Sequence, residues 1–240
     1  MRSAVALLVV APALWSGAAQ AQDHEHAASH GSDRLLFTLI DRLEGVWPAE
    51  GEEALLWDAE GWWGGDINKV WWKSEGEAED GDIGDAELQL LLSRAVRPYW
   101  DVQAGVRQDL VPDGRTYGVL GLQGLAPYWF EIDAAAFMSE EGDITARLEA
   151  EYDLLLTQRL ILQPRAEIEA ALDNIPDRML ASGLTGADIG LRLRYEIRRE
   201  LAPYVGVSWS TALGDTADLV SAAGGEDETI AFVAGVRLWF

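Results

Sequence analysis

From Asp33 to the C-terminus this chain repeats one pattern, apolar and polar side chains alternating with a period of two, and such a pattern specifies β-strands. Between 144 and 154, Ile144, Ala146, Leu148, Ala150, Tyr152 and Leu154 fall on one side; Thr145, Arg147, Glu149, Glu151 and Asp153 fall on the other. A strand sends successive side chains to opposite faces, whereas a helix would mix the two sets around its surface. The same alternation sets Leu88, Leu90 and Leu92 against Glu87, Gln89 and Ser93, and Val102, Ala104 and Val106 against Asp101, Gln103 and Arg107. It returns in 130–136, 160–169 and 188–197.

Twelve strands are expected, near 34–45, 54–63, 66–75, 85–96, 99–109, 115–125, 128–138, 144–155, 159–170, 187–198, 202–212 and 229–240. Segments of about ten residues are what a tilted strand needs to cross a bilayer, and an even count is what a single-chain bacterial barrel shows. The connections alternate in character. Gly64-Gly65, Arg97-Pro98, Ala126-Pro127, Thr157-Gln158 and Arg199-Glu200-Leu201 read as tight turns. Between them lie longer, acidic stretches at 76–84, 139–143, 171–186 and 213–228. Short periplasmic turns and longer outer loops give this asymmetry when both termini are periplasmic. The expected fold class is therefore all-β, a transmembrane antiparallel β-barrel of the bacterial outer membrane with about 12 strands. A soluble β-fold with aromatic corners is the competing reading.

Aromatic residues support the membrane. Pro98-Tyr99-Trp100, Pro127-Tyr128-Trp129 and Pro203-Tyr204-Val205 each open a strand after a tight turn, and their aromatic rings are expected at headgroup depth. The chain holds 11 Trp, and an interfacial belt is one natural use for them. Phe232, Val236, Leu238 and the terminal Phe240 form a closing strand that looks like the address read by the barrel-assembly machinery, and pairing it with the first strand leaves no open edge.

The first residues are for targeting. Arg2 is a positive start, 4–14 is apolar, and Ala19-Gln20-Ala21 suits signal peptidase, so residues 1–21 are expected to be a cleaved signal peptide and the mature chain to begin at Gln22. Residues 22–32 are polar and His-bearing and are read as a flexible tail, with the barrel over 33–240. Beyond the first segment no apolar run reaches the roughly 18 residues of a membrane helix.

Composition excludes several functions. With 41 acidic against 18 basic residues the formal charge is -23, which argues against nucleic acid as a partner. The absence of Cys removes thiolate metal sites, disulfides and Cys nucleophiles. All three histidines stand at 24, 26 and 30, before the first strand, so no strand can supply the His base that most barrel hydrolases need; no enzymatic activity is expected.

Several longer runs resemble the copper resistance protein B family. They are Gly64-Gly65-Asp66-Ile67-Asn68 with Val70-Trp71-Trp72-Lys73-Ser74-Glu75-Gly76, Ser93-Arg94-Ala95-Val96, and Gly124-Leu125-Ala126-Pro127-Tyr128-Trp129-Phe130-Glu131. Residues 148–159, 190–206 and the closing Gly235-Val236-Arg237-Leu238-Trp239-Phe240 are similar as well. The resemblance covers essentially all of 33–240 and implies an outer-membrane location and a role in copper tolerance. Members often carry a longer Met- and His-rich segment before the barrel; here only Met138 and Met179 remain in the mature chain, so the resemblance does not extend to copper storage in the tail.

Two places could meet copper. His24, His26 and His30 can present imidazoles to one ion, and imidazole with carboxylate suits Cu(II), whereas Cu(I) prefers Met or Cys. Equally, they are incidental members of a spacer. Within the barrel, Glu131, Asp133, Glu149, Glu151, Asp153, Glu167 and Glu169 are expected to project inward from adjacent strands, sharing the interior with Arg107, Arg147, Arg165, Arg192, Arg194 and Arg237. That set is either a network of paired charges that stiffens a narrow barrel or a cation path. The expected function is a copper-homeostasis barrel that binds or passes Cu2+, with outer-membrane lipid, the assembly machinery and periplasmic copper proteins as partners. The alternative is a small general porin or structural barrel whose metal role is indirect.

Overall fold

The computed structural model describes residues 34–240. The predicted alternation becomes one closed antiparallel sheet. Its strands are β1 (Leu35–Pro48), β2 (Ala54–Gly64), β3 (Asn68–Glu79), β4 (Asp82–Arg97), β5 (Trp100–Val111) and β6 (Arg115–Ala126). They continue as β7 (Phe130–Ser139), β8 (Ile144–Glu151, resumed at Leu154–Leu155), β9 (Leu160–Ala171), β10 (Gly183–Tyr195), β11 (Leu201–Ala212) and β12 (Glu228–Trp239). Each strand pairs with its chain neighbours, and β12 pairs with β1 through Leu39↔Trp239 to Pro48↔Ala231, so twelve strands close with no free edge. A closed barrel satisfies every backbone group internally, which lipid requires. Among the described residues no helix is long and apolar enough to cross a membrane, a statement that leaves strands untouched.

Sidedness follows the pleat. On β4, Leu88, Leu90 and Leu92 point outward and are exposed, while Glu87, Gln89, Leu91 and Ser93 are buried in the interior. The outer face also brings glycines under indole rings. Gly61 pairs with Trp72, Gly76 with Trp57 and Gly124 with Trp100. A Cβ at Gly61 would stand 2.6 Å from the Trp72 indole nitrogen. Part of the Trp content thus covers strand glycines and does not serve only an interfacial belt.

Several expectations about connections are corrected. The stretch 76–84 is mostly strand: β3 runs to Glu79 and β4 starts at Asp82, leaving Asp80 and Gly81, both at positive φ, as the turn. An Asp-Gly pair is the preferred chemistry of a tight hairpin, so it overrides the acidity that suggested a loop. The last inner turn spans 196–200, and Leu201 already belongs to β11. Tyr204 does not face the headgroups: it pairs with Gly235 and Arg194, points into the barrel and is 5% exposed. Its strand begins two residues before Pro203, which shifts Tyr204 to the inward phase. The stretch 213–228 carries a short helix, α1 (Asp215–Ala222).

Residues 172–182, expected as an outer loop, fold back into the mouth. Ile175 and Ala181 are buried, the Ala181 amide donates to Thr216 Oγ1 at 2.9 Å, and Arg178 reaches Asp109 on β5 at 2.6 Å. Arg115 pairs with Asp177 of the same segment.

Candidate functional site

Among the described residues, charge is concentrated in the interior, away from lipid, and the register decides what meets there. Directly paired residues of neighbouring strands share a face. Asp133 pairs with Gln123 and Glu149, Glu131 with Glu151, Glu149 with Glu167, and Glu167 with Asp188, so the row of carboxylates crosses from β7 to β10 on the inner wall. Asp153 lies in the break of β8, and its Oδ2 is 2.6 Å from Arg194.

Guanidinium groups sit among these acids. Arg165, 4% exposed in its side chain, reaches Glu149 and Glu167 at 2.6 Å each, Glu151 at 3.3 Å and Asp188 at 3.5 Å. Arg147 reaches Glu75 at 2.9 Å, Glu169 at 3.2 Å, Glu167 at 3.4 Å and Glu87 at 3.6 Å. Arg192 holds Glu44 through two hydrogen bonds, at 2.7 and 3.0 Å. Lys73 on β3 pairs with Asp133 on β7.

A β-bulge in β1 adds to the set. The register shifts between Ile40 and Arg42, and the consecutive residues Asp41 and Arg42 both turn inward. Asp41 takes Arg237 at 2.8 Å and Arg42 takes Asp58 at 2.8 Å. An extra residue in one strand re-aims side chains in this way, and an alternation pattern carries no sign of it.

The lumen is not wholly polar. Trp71, Leu91, Tyr117, Val119 and Phe137 form a buried apolar patch on the β3–β7 wall. Arg107 and Arg147 lie over the Phe137 ring, at 4.9 and 5.9 Å from its centroid. The remaining space includes an outer cavity of about 470 Å3 beside residues 172–182, a central one of about 330 Å3 and a mouth of about 310 Å3 at the opposite end, beside Asp153 and Trp239. Glu60 and Glu131 line the central cavity and enter no ion pair among the described residues, whereas Asp133, Glu149 and Glu151 there are engaged.

Sequence reasoning named the inward carboxylates of β7–β9 and their arginines. It missed Asp41, Asp58, Glu60, Lys73 and Glu75 on the facing wall, although Lys73 and Glu75 stand two apart in an alternating run and were open to the same reading. It missed the Arg178 segment, for which no periodicity exists. His24, His26 and His30 lie outside the described residues, as do the signal and tail regions. Among the described residues no group of three or more His, Asp or Glu is disposed to hold a metal ion. Most of the carboxylates are spread along the wall and paired with arginine or lysine, Glu60 and Glu131 being exceptions among the described residues.

A closed twelve-stranded sheet, apolar outside and ionic inside, defines an outer-membrane β-barrel protein. The NanC porin has a similar structure: TM-score 0.57 at 11% identity, over 82% of this chain and 98% of the porin. Residues 34–240 match the family model described as copper resistance protein B precursor. The chain is 46% identical over 215 residues to copper resistance protein B of Escherichia coli, covering 89% of this chain and 72% of that protein. It is 45% identical over 222 residues to a copper resistance protein B homolog of Pseudomonas syringae pv. tomato, covering 90% and 74%. The chain belongs to the copper resistance protein B family.

Proposed function

We propose that this barrel supports copper tolerance by binding Cu2+ or passing it through the outer membrane. The observation that carries the reading is the continuity of carboxylates along the lumen of a copper resistance barrel, from the outer cavity to Asp153 at the periplasmic mouth. Exposed acids at the outer end (Glu50, Glu52, Glu53, Asp80, Asp113, Glu140 and Glu141) attract cations over about 8–10 Å at physiological salt. Hard and borderline oxygen donors suit Cu2+ better than Cu+. In this reading Glu131, Asp133, Glu149, Glu151, Asp153, Glu167 and Glu169 offer the cation path, and His24, His26 and His30 capture the ion on the tail.

Export would remove residues 1–21, the assembly machinery would read the closing strand that ends at Phe240, and periplasmic copper proteins would exchange ions with the tail. No catalytic step is needed.

The test is copper accumulation in cells lacking the chain, complemented by the full chain, by a form without residues 22–32, and by a form with His24, His26 and His30 replaced. Restored accumulation by the full chain but not by the altered tails supports capture by the tail. Equal complementation by all forms removes the tail from the mechanism. No change of accumulation in any strain overturns the reading.

A second reading, a structural or general porin barrel with an indirect metal role, is favoured by the extensive ion pairing of the lumen. Single-channel conductance of the full chain separates the two: salt conductance without preference for divalent cations supports the second.

A further inference from the structure

Many ion pairs in this lumen join residues of the same or neighbouring strands, but some cross the bore, and one of these divides it. Arg147 stands on β8 and its guanidinium meets Glu75 on β3 at 2.9 Å, with Glu87 on β4 at 3.6 Å. In a ring of twelve strands, β8 and β3 are five apart, nearly opposite. The Arg147–Glu75 pair therefore spans the bore. On its own side Arg147 is held by Glu167 and Glu169 of β9, at 3.4 and 3.2 Å, and one flank lies against the buried Phe137 ring.

The cavities report the consequence. The outer and central cavities share only Glu75, Phe137 and Arg147 among their lining residues. The crossbar is the partition between them. A second transverse pair, Lys73 with Asp133, stands below it, within the central cavity.

We propose that Arg147 sets which ions pass between the outer and central cavities, its guanidinium standing where the two cavities meet. Four carboxylates face this guanidinium, so the constriction is already neutralised in part by the protein's own charge. A mobile cation reaching this level meets a guanidinium of like sign that occupies its coordination space. It passes only where Arg147 swings aside and leaves Glu75, Glu87, Glu167 and Glu169 to the ion. An anion meets the same carboxylates and gains nothing when Arg147 moves. The crossbar thus makes passage of a cation conditional and leaves anions excluded. This rests on the lumen as the route considered above, but its test does not use copper.

The chain contains no Cys, so a single introduced thiol reports on access without background. Gln123 lines the central cavity and is only partly buried. In the full chain carrying Gln123→Cys, the labelling rate from the outer side of intact cells is measured with a trimethylammonium methanethiosulfonate and with its sulfonate counterpart. Arg147→Ala is expected to accelerate the cationic reagent by at least about tenfold, roughly 1.4 kcal/mol of barrier, and to leave the anionic one slow. Because Arg147→Ala strands four carboxylates, the paired variant Arg147→Ala with Glu75→Ala is run beside it, and folding of each is checked by heat-dependent electrophoretic mobility. Arg147→Lys should keep the wild-type rates. Folded variants that label no faster than wild type overturn the proposal and place the barrier elsewhere, such as the 172–182 segment. Equal acceleration of both reagents also overturns it, since the obstacle is then one of volume and not of charge. Copper accumulation is read separately, so a failure of the copper reading leaves this result standing.

Discussion

Arg165 illustrates how single residues are placed under stress in such an interior. Its guanidinium is the shared partner of Glu149, Glu151, Glu167 and Asp188, all on β8–β10. Buried ion pairs add little net stability relative to apolar packing, but removal of one partner leaves charge uncompensated. Arg165→Met is therefore expected to destabilise the barrel by about 3–5 kcal/mol, measured as a shift of the urea midpoint in phospholipid vesicles. On the opposite face the logic is lipid. Leu90 is 56% exposed near the middle of β4, and Leu90→Arg should cost about 2–4 kcal/mol in the same assay, less for outward sites nearer the strand ends. At this scale the face of a residue was legible from alternation, as the Leu88–Ser93 run shows. Its partner was not: Arg192 finds Glu44, 148 residues away, and no local pattern encodes that pairing.

Elements behave by the same division. Strands were legible because each carries its own period, while their ends were not. Asp80-Gly81 turns tightly and lets β3 and β4 outrun the expected membrane span, and the bulge at Asp41 breaks the period where two ionic residues are needed inside. The 172–182 segment is held by its ion pairs and by burial of Ile175. Arg178 carries much of that hold, since it pairs with the buried Asp109 and lies 5.7 Å from the Tyr117 ring. A hydrogen bond to a charged group contributes about 1.5–3 kcal/mol, so Arg178→Ala should speed amide exchange at Leu180 and Ala181 by roughly ten- to a hundredfold. Unchanged exchange at both amides would mean that the segment is held by its apolar side chains.

For the whole molecule, closure is the decisive contact. Thr38 and Phe240 exchange backbone hydrogen bonds at 2.9 and 3.0 Å, tying the last residue to the first strand. A sheet sealed in this way unfolds as one unit, so the folded chain should resist dodecyl sulfate at room temperature and shift in electrophoretic mobility only on heating. Deleting 237–240 removes part of the β12–β1 seam and should abolish the shift.

By itself the sequence determined strand content, sidedness and the ionic character of the bore, because each arises from local periodicity and side-chain chemistry. Only the tertiary structure decided which charges meet across the bore and how the space is partitioned. Arg147 finds Glu75, and Lys73 finds Asp133, only once twelve strands have closed in one register. Ring closure converts sequence distance into cross-sectional proximity, and that conversion has no counterpart in a linear pattern.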